Sequence, residues 1–149
     1  MQPSIKNDIV YLLMMLEAIG KIKIYSKDFN NAQDFYHSNN QLNFDASLMM
    51  LATIGEQVSK ISDELKGKQQ HVPWQSVKDL RNRIIHNYEG IDFELAFYIV
   101  KNDLPQLENN IIEIIKIETE SGNFLMEEIK IAQSSTFYLH VNFEELIIE

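Results

Sequence analysis

Apolar residues recur at spacings of three and four along most of this chain, the signature of helices that bury one face. Ile5, Ile9, Leu12, Leu13, Leu16, Ile19 and Ile22 form one stripe and predict a helix over 4–25, with Ser4 as its cap and Gly20 as a weak point. Residues 26–43 are polar and rich in Asn, with Phe29, Phe35 and Tyr36 available to pin the connection down. Phe44, Leu48, Leu51, Ile54, Val58, Ile61 and Leu65 resume the helical period, with Asn43 as the expected cap and Gly55 placed to permit a close helix contact. Pro73 opens a third helix, with Trp74 packing inward, that runs to about Gly90. Asp92 caps a fourth, and Asp103-Leu104-Pro105 leads into a fifth helix or a kinked continuation carrying Leu107, Ile111, Ile112, Ile114 and Ile115.

After Glu118 the pattern changes. Ser121-Gly122-Asn123 reads as a linker, and Phe137, Leu139, Val141 and Phe143 alternate with Tyr138, His140 and Asn142. Period two predicts a strand, which needs a partner in its own chain, a second copy or another protein. The expectation is an all-α, antiparallel four- to five-helix bundle over 1–120. Residues 121–149 would form a C-terminal extension that holds the strand and extends an oligomer or covers a partner surface.

The chain has 149 residues, 45% of them apolar, which is enough for one domain with a real core. It has no cysteine, so disulfides, thiolate zinc sites and a cysteine nucleophile are excluded. Neither a signal peptide nor a membrane span is legible, and the expectation is a soluble protein of the cytoplasm. Net charge is −9, against a non-specific nucleic-acid coat, and DNA is not an expected partner. Lys78, Arg81 and Arg83 against Asp79 nonetheless make residues 78–86 locally basic. No glycine-rich phosphate loop is present. His37, His71 and His140 lack spaced partners, so neither a metal site nor a cofactor is expected.

The densest chemistry lies in Arg81-Asn82-Arg83-Ile84-Ile85-His86-Asn87-Tyr88. If all of it is helical, Arg81, Asn82, His86 and Tyr88 share one arc of about 160°, with Asn82 and His86 stacked at i,i+4. Such a face suits a nucleic-acid phosphodiester. RNA carries its own nucleophile in the 2′-hydroxyl, so the protein needs to supply a base, an acid and positive charge. His86 suits the first two roles and Arg81, with its planar fork, the third. Asn82 could orient His86 or bind the phosphate, or else tie its helix to a neighbour. Tyr88 could stack on a base, donate a hydrogen bond, or be a core residue of the bundle. Glu56 could hold Arg81 or His86, or be a structural ion pair. Arg83 falls off the arc and reads as a surface residue.

The same residues carry a resemblance. Arg81, His86 and Tyr88 have the spacing of the arginine–histidine–tyrosine motif of HEPN domains, and the chain more narrowly resembles the HepT-like toxins of toxin–antitoxin pairs. Ile54-Gly55-Glu56 with Lys60-Ile61-Ser62, Val72-Pro73-Trp74, the 80–88 block, Ile91-Asp92 and Asp103-Leu104-Pro105 follow in that family's order. The resemblance covers about residues 5–118 and implies a homodimer whose motif helices face one cleft. It also implies metal-independent endoribonuclease activity in a type VII-like pair, with an MNT-type nucleotidyltransferase antitoxin as partner. That partner adds AMP groups to the motif tyrosine, which falls on Tyr88. The alternative is a non-catalytic helical dimer that docks a nucleotidyltransferase, which the acidic net charge favours a little, or that binds nucleotides.

Overall fold

A computed structural model describes residues 4–147 and shows eight α-helices among them. They are α1 (Asp8–Ser26), α2 (Ala32–His37), α3 (Leu42–Lys60), α4 (Asp63–Lys68), α5 (Trp74–His86), α6 (Phe93–Tyr98), α7 (Leu104–Glu120) and α8 (Met126–Gln133). Cross-links give the directions. Asp8 meets Ser62 and Asn43 meets Tyr25, so α1 and α3 are antiparallel. Glu56 meets Arg81 and Asp45 meets Tyr88, so α5 runs opposite to α3. Lys23 pairs with Glu108 and Lys101 reaches the Ser26 carbonyl, so α7 is antiparallel to α1. The expected all-α antiparallel bundle is thus the observed fold.

The expected single stripe on α1 understates its burial. Ile9, Leu12, Leu13, Met15, Leu16, Ala18, Ile19 and Ile22 are buried together with Asp8 and Glu17, so the helix is covered on nearly every side. The cover includes the C-terminal extension. Phe124, Ile129, Phe143 and Leu146 join the same apolar core as α1, α3 and α7. A Cβ on Gly20 would collide with the backbone of His140, so the weak point in α1 is where the extension crosses it closely. Glu17, 3% exposed, accepts the His140 N–H at 2.6 Å, and its other oxygen lies 2.6 Å from His140 Nδ1.

The predicted strand does not form: among the described residues there are no strands, and 137–143 is a turn-rich path ending in a 3₁₀ turn at Phe143–Glu145. The alternation instead seats single side chains. Tyr138 and Val141 pack on the core and Phe143 is buried, while Phe137 and Leu139 face outward. Lacking a neighbouring edge, the segment finds single partners for its backbone: the Phe137 N–H donates to Ser135 Oγ and the His140 N–H to Glu17.

Several boundaries also shift. A 3₁₀ turn, Ile5–Asn7, precedes α1, and Ser4 makes no side-chain cap. Helix α3 starts at Leu42, and Asn43 donates to the Tyr25 carbonyl at 2.9 Å instead of capping. Asn39, Asn40 and Gln41 all have φ between 52° and 69°, which accounts for the Asn-rich connection, since Asn tolerates the left-handed region. Ser62 ends the apolar run of α3 and caps α4. Asp92 caps α6 as expected. Helices α6 and α7 join through a π-helical segment, Ile99–Asp103, with Pro105 in the first turn of α7, so 93–120 is one interrupted helix. Among the described residues no helix is long and apolar enough to cross a membrane.

Candidate active site

The site is built where α5 crosses α3. A Cβ on Gly55 would overlap the Arg81 Cβ, so the glycine lets the two backbones approach at this point. The approach sets Arg81 beside Glu56, with Nη2 at 2.9 Å from the carboxylate. Nη1 donates to the Asn82 side-chain oxygen at 3.1 Å. Two of the five guanidinium N–H groups are thereby used, and the rest can meet a phosphate. Of the two partners open to Glu56, the geometry shows Arg81 and not His86; Asn82 accepts from Arg81, a contact not foreseen for it, and makes no hydrogen bond to His86.

Helix α5 buries only Trp74 and Ile84 and keeps its remaining face toward solvent. Val77 and Leu80 pack on the core from partly exposed positions. His86 is exposed in the last turn and makes no side-chain hydrogen bond among the described residues. An exposed imidazole with both nitrogens open is available for proton transfer.

The reading that puts all four motif residues on one helical face is corrected at its end. Helix α5 stops at His86, Asn87 takes φ −146° and ψ 49°, and Tyr88 lies in a 3₁₀ turn, Tyr88–Gly90. The side chain of Asn87 folds against Gly90, where a Cβ would meet it at 2.6 Å. Tyr88 is positioned from α3 instead: its hydroxyl donates to Asp45. Burial of the hydroxyl, and then the Asp45 carboxylate beside it, push the phenol up to about 12. Tyr88 is 45% exposed, so it is not the core residue that a bundle tyrosine often is.

Asp45 was not singled out from the sequence. The signal was its spacing: Asp45 and Glu56 lie eleven residues apart, about three turns, and so on nearly the same face of α3. One carboxylate holds Arg81 and the other holds Tyr88.

Arg83 is exposed and forms no ion pair among the described residues. It lines a cavity of about 510 Å³ between α5 and the α6–α7 arm, with Leu51, Val77, Leu80, Leu104 and Leu107 among its walls. His140 ties down the extension, and His37 packs edge-on against Tyr36. Among the described residues no three His, Cys, Asp or Glu side chains are arranged to hold a metal ion.

Comparison with known proteins meets this geometry. A family profile described as "Ribonuclease HepT-like" matches residues 15–114, which include Glu56 and the whole motif. A protein of Methanocaldococcus jannaschii named "Gamma-glutamylcyclotransferase and putative RNase" is 33% identical over 72% of the chain, which spans only 47% of that relative's length. A second protein of the same organism, named "Putative RNase", is 32% identical over 74% of the chain and 98% of its own length. A "Probable ribonuclease HepT" of Thermococcus cleftensis is 28% identical over 71% of the chain and 94% of its own length. No solved structure matches significantly. With its Arg81–His86–Tyr88 motif inside a profile that covers most of the bundle, this chain belongs to the HepT-like ribonuclease family.

Proposed function

We propose that this protein is a metal-independent endoribonuclease that works as a homodimer and acts as the toxin of a type VII-like toxin–antitoxin pair. The observation that carries the reading is on α5: a guanidinium oriented by Glu56 and Asn82, with an exposed imidazole five residues on. Arg81 would hold the non-bridging oxygens of the scissile phosphate and offset the charge of the phosphorane. One imidazole takes the proton of the 2′-hydroxyl as its oxygen attacks phosphorus. A second returns a proton to the departing 5′-oxygen, leaving a 2′,3′-cyclic phosphate and a 5′-hydroxyl. A single His86 cannot readily do both in one step, and a second copy supplies the other. An MNT-type nucleotidyltransferase is the proposed antitoxin, with Tyr88, half-exposed at the end of α5, as its AMP acceptor.

The test is cleavage of total cellular RNA in EDTA by wild type and His86→Ala, with end analysis. Cutting by the wild type alone, with cyclic phosphate ends and none on a fully 2′-deoxy substrate, is the expected result. Equal cutting by both proteins removes His86 from the reaction. The net charge of −9 favours a second reading, a non-catalytic dimer that docks a nucleotidyltransferase; a nucleotide-binding dimer is its variant. No cutting by either, with an unmodified intact mass, selects that reading.

A further inference from the structure

We propose that Tyr88 is a stacking platform for one base of single-stranded RNA, held in place by Asp45 as a positioning residue, and that its hydroxyl neither transfers a proton nor binds the scissile phosphate. The proposal rests on the ribonuclease reading and assigns to the motif tyrosine a role different from that of Arg81 and His86.

The argument begins with what holds the ring. Tyr88 follows the end of α5, so no helical register fixes it. Among the described residues its one side-chain hydrogen bond goes to Asp45 in the first turn of α3, just after the left-handed run Asn39–Gln41 that sets where α3 begins. A phenol has one proton to donate, and Asp45 accepts it. What remains on that oxygen is lone pairs beside a carboxylate, an arrangement that repels phosphate oxygens. Burial, and then the same pairing, raise the phenol further above its ordinary value, away from the range that suits an acid working near pH 7.

The ring is different. The residue is 45% exposed, and two other large apolar side chains on the elements that position it are exposed as well. Ile85 precedes the motif histidine, and Met49 lies one turn beyond Asp45 on the same side of α3. An exposed aromatic residue, with its hydroxyl tied back and the Arg81 guanidinium on the helix that leads to it, matches how single-stranded RNA is held: bases on rings, phosphates on cations.

The test uses the full-length chain and a short single-stranded oligoribonucleotide cut by the wild type, with KM and kcat measured separately and folding checked by circular dichroism. Tyr88→Leu is expected to raise KM about tenfold or more with little change in kcat. Tyr88→Phe and Asp45→Ala should each raise KM a few-fold, leave kcat and its pH profile unchanged, and show no added effect when combined. Asp45→Asn, which keeps an acceptor oxygen, should restore the wild-type KM. A loss of kcat in Tyr88→Phe as large as in Tyr88→Leu would overturn the proposal, because the phenolic proton would then be in use. Unchanged KM in Asp45→Ala removes the latch, and unchanged KM in Tyr88→Leu removes the platform. Both results leave the ribonuclease reading standing, whereas a wild type that neither cuts nor binds RNA removes the two together.

Discussion

On α1 the carboxylates Asp8 and Glu17 are buried and filled by partners, while on α5 the polar groups stay at the surface with capacity left over. Asp8 takes both the N–H and the O–H of Ser62, at 3.0 and 2.5 Å. Glu17 takes two contacts from His140, and Glu118 on α7 takes Lys68 and Asn123 in the same manner. These saturated groups fix which segment packs where, since leaving any of them unpaired would be costly. Arg81 is held by two ties but keeps free donors, and His86 has no tie at all among the described residues. A histidine thus serves architecture at position 140, while at position 86 it stays open, as the proposed chemistry needs. What separates them is whether a buried carboxylate waits beside the ring.

That contrast is broken most sharply at His86. Removing a general acid–base group typically costs 10²–10⁴-fold, so His86→Ala should reduce RNA cutting at least about 100-fold with an unchanged melting temperature. A drop in melting temperature would mean that His86 is architectural after all. Gly55→Val should affect both regions, because its side chain displaces Arg81 from Glu56. We expect a loss of about 1–3 kcal/mol in urea unfolding, together with loss of cutting. Full activity would show that the α3–α5 approach is not needed.

Glu17→Ala should cost about 1–3 kcal/mol by orphaning His140, with hydrogen exchange rising in 137–146 and cutting of RNA unchanged. Faster exchange at α5 instead would tie the extension to the site. Asp8 adds a pH dependence. Burial, which outweighs the hydrogen bonds from Ser62, raises its carboxyl above the ordinary 3.8. Its stabilising contribution is therefore complete below 3.8 and is lost as pH rises through the higher folded value. Relative to Asp8→Asn, the wild type should lose stability across that window in urea melts; a flat difference would refute it. Smallest of all, Arg83→Ala should change stability by less than about 0.5 kcal/mol and leave cutting intact. A large loss of cutting would bring the groove it lines into the reaction.

The sequence made much of this legible. The three-and-four spacing of Ile9, Leu12, Leu16 and Ile19, the cap at Asp92 and the inward Trp74 follow from local rules and hold in the fold. Gly55 was readable as a contact point because a glycine inside a helix otherwise only costs stability. The strand over 137–143 was misread because period two records only which side chains alternate. Whether an edge is there to pair with depends on the rest of the molecule. The end of α5 was placed too late for a related reason. Nothing local in Asn87-Tyr88 stops a helix as firmly as proline would, and Tyr88 is drawn off the helix by an acceptor 43 residues away.

By itself, the sequence determined that this chain is helical, where its main helices lie, and that Arg81, His86 and Tyr88 belong to one family motif, because all of these are encoded within a few turns of chain. Only the tertiary structure decided that Glu56 and Asp45 hold the ends of that motif, that Gly20 and Glu17 receive the extension, and that the Tyr88 hydroxyl turns to Asp45. Those outcomes depend on groups distant in sequence meeting across packed helices, and burial and hydrogen-bond satisfaction are settled only once every helix is in place.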